Sequence, residues 1–228
     1  MKHQFPQYLA EFIGTFFLVF FGCGAMILSQ VQPDSISSFA IPLVFGGAVS
    51  VMIYSVGHIS GAHFNPAVTL AFWVAKRFPA KRVPGYLLSQ FLGAILASLV
   101  HKVIWSGLAH NFGVTHFFIS WKIAFLLELI FSFSLMFVII SVATDSRAVG
   151  ELAGIAIGTT VAICSFVGGP LTGSSMNPAR TFGPAIVSGN FSGIWPYLIA
   201  PIVGTILGAL TYEWIRCNKE GSKEHGCC

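Results

Sequence analysis

The sequence predicts an all-α membrane protein with six transmembrane helices and two re-entrant half-helices. Only 9% of its 228 residues are charged while 55% are hydrophobic, and the mean hydropathy is +0.79. A soluble domain has roughly 25% charged residues, so this chain has too few to cover a surface in contact with water. The 12 basic and 8 acidic residues form no basic face of the kind that nucleic-acid-binding proteins carry, and no nucleic-acid partner is expected.

Six apolar stretches are long enough to cross a hydrocarbon layer of ~30 Å. They lie at about Leu9–Ser29, Phe39–Gly57, Val83–Trp105, Ile119–Ala143, Val149–Gly168 and Trp195–Ile215. Two further apolar runs, Pro66–Ala75 and Pro178–Ser188, have about half the length that a crossing requires. Each follows a Gly/Ser-rich stretch, so we predict half-helices that enter the membrane and return. Irregular backbone is tolerated at membrane depth only beside protein or a water-filled cavity, and a cavity is therefore expected.

The chain contains an internal repeat. Tyr86–Leu99 aligns without gaps on Tyr197–Leu210, with identical residues at six of the 14 positions. An Asn-Pro-Ala tripeptide that begins at position 65 recurs at position 177. The two halves of this single predicted domain are about 1–118 and 119–228, with three spans each. Because three is odd, the second half must cross the membrane in the opposite sense, which predicts an inverted repeat.

The distribution of basic residues predicts the orientation of the chain. With a cytoplasmic N-terminus, nine basic residues lie on the cytoplasmic side: Lys2, Lys76, Arg77, Lys81, Arg82, Arg147, Arg216, Lys219 and Lys223. The other side has only Lys102, Lys122 and Arg180. Membrane proteins carry an excess of Lys and Arg on the cytoplasmic side, so we expect a multi-pass protein of the cell membrane with both termini in the cytoplasm.

Each half-helix is predicted to begin at an Asn-Pro-Ala tripeptide. The two tripeptides are Asn65-Pro66-Ala67 and Asn177-Pro178-Ala179. Asparagine is a good helix N-cap, and proline suits the first turn because its missing N–H has no partner there. The inverted repeat brings the two N-termini together near the middle of the bilayer, each with positive partial charge from its helix dipole. We expect the asparagine amides to donate hydrogen bonds to a passing oxygen, while the positive helix ends repel cations.

These segments resemble the aquaporin (major intrinsic protein) family, and the similarity extends over essentially the whole chain. The matching segments are Gly57–Thr69 and Gly173–Arg180, which contain the two tripeptides. Residues 77–79, 150–154, 169–173 and 183–188 resemble the nodulin-like branch of that family. The resemblance implies a homotetramer with one pore per subunit, which conducts water and small uncharged solutes across the bilayer.

The same resemblance implies a second constriction near the outer mouth, formed by four side chains. At the matching positions this chain has Phe45, Ser165, Ser174 and Arg180. Water-selective relatives usually have histidine in place of Ser165, so a wider opening lined by hydroxyl groups is expected here. Glycerol channels have a second aromatic residue and an acidic residue after the arginine, where this chain has Thr181. The pattern is closer to channels for glycerol, urea or neutral metalloid hydroxides, with a strict water channel as the alternative.

Two carboxyl groups, Glu11 and Glu128, lie inside the first and fourth predicted spans. An ionisable group inside a membrane suggests a functional role, such as a proton relay. Their matching positions in the two halves, without basic partners, favour another role. We expect them to accept hydrogen bonds from the loops before the half-helices. Similarly, His58 and His63 could form a pH-dependent gate, but packing within the loop is the favoured interpretation.

A secondary transporter is the alternative of another class, because transporters also have inverted repeats and broken helices. Against it, the predicted spans have no cluster of acidic, basic and histidine residues that would couple an ion. The five cysteines lack metal-ligand or disulfide-framework spacing, and no Ser/His dyad pattern indicates an enzyme. The sequence therefore predicts a passive channel without catalytic activity, cofactor or metal site.

Overall fold

The computed structural model describes residues 4–109, 111–145, 148 and 150–216. Within these residues the regular structure is entirely helical. The long helices are α1 (Phe5–Val31), α2 (Ala40–Ser60), α4 (Val83–Ile104), α5 (Trp121–Thr144), α6 (Ala153–Thr172) and α8 (Trp195–Ile215). The short helices are α3 (Pro66–Val74) and α7 (Pro178–Ser188), and single 3-10 turns lie at Ala80–Arg82 and Gly150–Leu152. The predicted fold class of six membrane-capable helices and two half-helices is confirmed.

Several residues named in the sequence analysis lie outside the described part of the chain. They are the basic residues Lys2, Arg147, Lys219 and Lys223, and Val149 at the predicted start of the fifth span.

The ends of α2 and α6 differ from the predicted spans because a turn, not the end of the apolar run, stops each helix. Gly61 has φ 88° and its N–H bonds the Gly57 carbonyl, while Gly173 has φ 75° and bonds the Gly169 carbonyl. Glycine adopts this left-handed conformation without steric penalty and is the usual residue after a helix end. As a result α6 extends to Thr172, four residues beyond the predicted end of its span at Gly168.

The helices pack as two similar groups. In the first group α1 contacts α2 and α4, and in the second α5 contacts α6 and α8. The α2 and α6 helices join the groups. Each half-helix packs on a long helix of the opposite group, with α3 against α8 and α7 against α4. The arrangement agrees with the predicted inverted repeat.

Two glycines at matching positions of the repeat allow this packing. A Cβ atom added to Gly93 would lie 2.4 Å from the carbonyl oxygen of Phe12, and one added to Gly204 would lie 2.3 Å from that of Leu129. The backbones of α4 and α1, and of α8 and α5, therefore touch at these crossings. Small residues permit such close approach, which is a main source of helix association in membranes.

The outer surface of the helix bundle is apolar. Many large hydrophobic side chains are exposed there, among them Leu43 of α2, Leu88 of α4, Leu126 of α5 and Ile163 of α6. Lipid tails are as apolar as these side chains, so the exposed surface is suited to a bilayer and not to water. The chain is a multi-pass membrane protein.

Candidate functional site

Both half-helices begin as the sequence predicts, at an asparagine with extended backbone followed by proline. The Oδ1 atom of Asn65 accepts a hydrogen bond of 2.9 Å from the backbone N–H of Ala67. The Oδ1 atom of Asn177 accepts hydrogen bonds from the backbone N–H groups of Ala179 and Arg180, at 3.0 and 3.3 Å. Each asparagine therefore caps its own helix with its oxygen, which leaves its NH2 group for other partners.

Crossed hydrogen bonds join the two half-helix starts. The Nδ2 atom of Asn65 donates to the carbonyl of Met176 at 2.7 Å, and Nδ2 of Asn177 donates to the carbonyl of Phe64 at 2.8 Å. The structure thus brings the two tripeptides into direct contact at the centre of the bundle. An asparagine NH2 group has two hydrogens, so one N–H of each side chain is not used by these bonds.

The loops that precede the half-helices have an unusual backbone conformation. Ala62 and Phe64 have φ 51° and 49°, and Ser174 and Met176 have φ 42° and 53°. Such left-handed residues other than glycine cost of order 1–3 kcal/mol each and persist only where the surroundings hold them. The conformation recurs at matching positions of both halves, so the same constraints must act on both loops.

The first loop is held by Glu11 of α1. Its Oε1 atom accepts from Ser60 Oγ at 2.7 Å and from the backbone N–H of His63 at 2.9 Å. Its Oε2 atom accepts from the backbone N–H of Phe64 and from Gln90 Nε2, each at 2.7 Å. The side chain is completely buried, and its hydrogen bonds satisfy backbone N–H groups that have no helical partner.

Glu128 of α5 holds the second loop in the same way. Its Oε1 atom accepts from Thr172 Oγ1 at 2.7 Å and from the backbone N–H of Ser175 at 3.0 Å. Its Oε2 atom accepts from the backbone N–H of Met176 at 2.8 Å. All of these partners are donors, and they belong to one loop and the helix end beside it, which agrees with the predicted supporting role.

A tyrosine in each half fixes the helix end before the loop. The Tyr86 hydroxyl donates to the carbonyl of Ser60 at 2.7 Å, and the Tyr197 hydroxyl donates to the carbonyl of Thr172 at 2.6 Å. Both tyrosines are buried, and they begin the two aligned segments of the repeat. Alignment of the halves could have indicated that they share a role, although not which carbonyl each would reach.

A cavity of about 440 Å³ runs past the two asparagines. One wall is apolar and consists of side chains from four helices: Leu18, Val49, Ile53, Leu135, Ile139, Ile157 and Val161. The rest of the lining includes residues of the two loops together with Asn65 and Asn177. An oxygen-bearing solute in this cavity therefore meets both an apolar surface and side chains that can hydrogen-bond it.

The four predicted filter residues all line this cavity. Arg180 is 1% exposed, and its guanidinium carbon lies 5.2 Å from the centre of the Phe45 ring. Its Nη1 atom donates to the carbonyl of Gly113 at 2.8 Å, and its Nη2 atom contacts Met26 Sδ at 2.9 Å. Its Nε atom has no hydrogen-bond partner among the described residues. The matching position in the first half is Val68, so the permanent cation occurs on one side of the asparagines.

The two filter serines are small side chains beside the cavity. Ser174 Oγ donates to the carbonyl of Cys164 at 3.0 Å, which fixes its hydroxyl against α6. Ser165 follows Cys164 on the same helix and lines the cavity too. Neither side chain reaches far into the space, because serine has one heavy atom beyond Cβ.

The two histidines near the first half-helix have different surroundings. The buried His63 ring bonds Thr69 Oγ1 through Nδ1 at 3.1 Å and stacks on Phe72 with 4.7 Å between ring centres. These contacts agree with a packing role. His58 is exposed and lines the cavity together with Glu151 and Gly150.

Sequence reasoning missed the acceptors for the functional side chains. The carbonyl groups of Phe64 and Met176 precede the two asparagines directly, so the repeat could have singled out these positions. Gly113 and Met26 accept hydrogen bonds from Arg180, which lies in the second half of the chain. Both acceptors lie in the first half, and no motif surrounds them. Nothing in the sequence indicates that they contact Arg180.

Replacement of Glu128 by glutamine should destabilise the protein. The Glu128→Gln change turns one acceptor oxygen into an NH2 group, which then faces the N–H of Ser175 or Met176. A buried donor without an acceptor lowers the free energy of unfolding by about 1–3 kcal/mol. Thermal unfolding in detergent, followed by circular dichroism, measures the loss. Glu151→Gln on the exposed side of the cavity mouth is the matched control, and equal stability of the two variants would contradict the supporting role.

Comparison with known proteins agrees with this geometry. Residues 2–212 match the family model described as Major intrinsic protein. The chain is 49% identical to Nodulin-26 from Glycine max, over 91% of this chain and 77% of that protein. It is 47% identical to Aquaporin NIP1-1 from Zea mays, over 95% of this chain and 77% of that protein.

The fold is also that of a solved channel. The X-ray structure of the aquaglyceroporin from Plasmodium falciparum superposes with a TM-score of 0.84 at 28% sequence identity, covering 91% of this chain and 95% of that one. Family model, relatives and fold all agree with the two capped half-helices that meet beside a cavity. This chain belongs to the major intrinsic protein family, in its nodulin-like branch, and is a membrane channel for water and small neutral solutes.

Proposed function

We propose that this channel admits neutral solutes larger than water, such as glycerol, urea or metalloid hydroxides, and that it excludes ions and protons. Arsenous, boric and silicic acids are the metalloid hydroxides of this size. The observation that carries the proposal is the pair Ser165 and Ser174, two small hydroxyl side chains that line the cavity beside Arg180. The activity is passive conduction and not catalysis.

The exclusion of protons depends on Asn65 and Asn177. Each keeps one amide N–H beyond the crossed bonds to Met176 and Phe64, and both side chains line the cavity. A water oxygen that accepts both N–H groups turns its hydrogens away from its neighbours, which interrupts a chain of water molecules. The two helix N-termini add roughly half a positive charge each, so a cation meets a barrier where a neutral molecule does not.

The outer filter selects by size and by hydrogen bonding. Arg180 lines the cavity, and its guanidinium supplies N–H donors from which a hydroxylated solute can accept. Phe45 supplies an apolar surface for the carbon side of such a solute. Ser165 stands where water-selective relatives have histidine, and the missing imidazole volume widens the opening. A solute with hydroxyl groups on one side and carbon on the other fits these surroundings.

The proposal includes the orientation of the chain in the membrane. Arg77 and Arg216 both pair with Glu213, at 2.8 and 3.1 Å, which places the loop after α3 and the end of α8 at the same face of the bundle. This face carries the described basic residues of the predicted cytoplasmic side, which supports cytoplasmic termini in the cell membrane. Accessibility of terminal tags to added protease in intact cells tests this orientation.

We propose further that residues 1–118 and 119–228 are two halves of one channel domain, and that four copies of the chain associate. Each half contributes one asparagine and one half-helix to a cavity that is complete within a single chain. The exposed apolar side chains on the outside of the bundle are available for neighbouring subunits as well as lipid. Native mass spectrometry from detergent tests the homotetramer.

Flux measurements distinguish this proposal from its alternatives. Stopped-flow light scattering of reconstituted vesicles compares the permeabilities for water, glycerol, urea and arsenous acid. Water flux alone would favour a strict water channel. Saturation at low solute concentration, or dependence on an ion gradient, would favour a secondary transporter, although the structure offers two fixed donor groups and one continuous cavity.

Substitution of Ser165 by histidine should separate the solutes by size. Ser165→His places an imidazole ring in the cavity, so glycerol permeability is expected to fall at least about tenfold, the effect of ~1.4 kcal/mol added to its barrier. Water is smaller, so its permeability should fall by less than about threefold on the same scale. Ser165→Ala keeps the side chain small and serves as the control with native glycerol flux. Equal losses for water and glycerol would contradict the wide filter.

Substitution of Arg180 by valine should make the channel leak ions or protons. Arg180→Val gives this position the residue that the first half has at Val68 and removes the buried positive charge. The leak of protons, reported by a pH-sensitive dye inside vesicles, should rise by about tenfold for each ~1.4 kcal/mol removed from the barrier. Arg77→Val removes an exposed arginine far along the surface and controls for the loss of net charge. A leak equal to that of the control would argue against Arg180 as a barrier.

A further inference from the structure

The buried guanidinium of Arg180 is held by acceptors that carry no charge. Its Nη1 atom donates to the Gly113 carbonyl at 2.8 Å and its Nη2 atom to Met26 Sδ at 2.9 Å. Among the described residues, the ion pairs join Glu213 to Arg77 and to Arg216, and none involves Arg180. A buried arginine is ordinarily paired with an acid, so the neutral partners call for an explanation.

We propose that Met26 is a positioning residue of the outer filter, which fixes the plane of the Arg180 guanidinium through its thioether sulfur. The inference rests on the proposed role of Arg180 and deepens it. A single hydrogen bond at Nη1 would let the planar group swing about that contact. A second acceptor at Nη2 fixes the plane, and with it the surface that Arg180 presents to the cavity.

The chemistry of a thioether suits this task. Its sulfur is a weak, polarisable acceptor that can satisfy an N–H group without adding negative charge. A carboxylate in the same place would hold the guanidinium more strongly, but it would cancel the positive charge that repels cations. Met26 therefore orients the arginine without adding a negative charge beside it.

Both acceptors depend on α1. Met26 lies three residues after Cys23, so the two side chains share one face of the helix. The loop that carries the Gly113 carbonyl is pressed against Cys23, since a Cβ atom on Gly113 would lie 2.7 Å from Cys23 Cβ. Gly113 also has φ 81°, a conformation that favours glycine. One rigid helix thus sets the positions of the carbonyl and the sulfur together.

Met26→Leu removes the acceptor and preserves the side-chain volume, a change that hydrophobic cores tolerate well. With Nη2 unpaired, we expect the guanidinium to rotate toward the cavity, where Nη2 can bond another acceptor. The rotated group then obstructs the larger solute. We expect the ratio of glycerol to water permeability to fall by about fivefold, which is the effect of one hydrogen bond of about 1 kcal/mol. Met26→Gln supplies an amide oxygen at a similar reach and should restore the ratio to within about twofold.

The matched control is Met136→Leu. Met136 is a completely buried methionine of α5 that does not line the cavity, so the same chemical change there should leave the permeability ratio at its native value. A loss of the ratio in Met26→Leu and Met26→Gln alike would overturn the acceptor role, because size and shape would then explain the effect. A native ratio in Met26→Leu would overturn the inference as well.

A measurement that is independent of transport completes the test. Solid-state NMR of the native protein in lipid vesicles, with 13C in the methionine methyl groups and 15N in the arginines, should show a contact between Met26 and the Arg180 Nη atoms. In Met26→Leu the Arg180 Nη2 resonance should shift, while in Met136→Leu it should not. Absence of the contact overturns the inference even if the channel conducts. Absence of glycerol flux with the contact present would instead reject the wide filter and leave Met26 as a positioning residue.

Discussion

Two buried carboxyl groups allow irregular backbone to exist inside the helix bundle. A backbone N–H without a partner in hydrocarbon costs several kcal/mol, and each loop before a half-helix has N–H groups that no helix satisfies. Glu11 accepts from those of His63 and Phe64, and Glu128 from those of Ser175 and Met176. Without these acceptors the left-handed loop residues would have no compensation, and the half-helices would not start at the centre of the bundle.

The electrostatics of the cavity depend on the groups that bond its asparagines and its arginine. The helix starts at Asn65 and Asn177 are joined by bonds to neutral carbonyl groups, and Arg180 is held by a carbonyl and a thioether. Among the described residues the hydrogen-bond acceptors of these side chains are neutral, while the carboxyl groups of Glu11 and Glu128 bond the backbone N–H groups directly before the two asparagines. A low-dielectric surrounding increases the effect of charges and dipoles, and the proposed exclusion of cations depends on the balance between these groups.

The sequence is informative about elements that repeat or that have a special residue at their start. The spans, the half-helices and the capping asparagines could be predicted because length, proline and the offset of 112 residues limit the alternatives. The predicted span ends at Gly168, four residues before the end of α6 at Thr172. Hydropathy reports contact with lipid and not the left-handed turn at Gly173. The partners of Arg180 could not be predicted, because a backbone carbonyl and a methionine sulfur have no distinctive pattern and come from the other half of the chain.

The exchange of half-helices between the two groups has a consequence for biosynthesis. The α3 helix packs mainly against α8 and the α7 helix against α4, so the first re-entrant segment lacks its main packing partner until the last long helix has left the ribosome and inserted. A nascent chain with five of its spans in place therefore lacks a long helix against which its first half-helix packs in the complete protein.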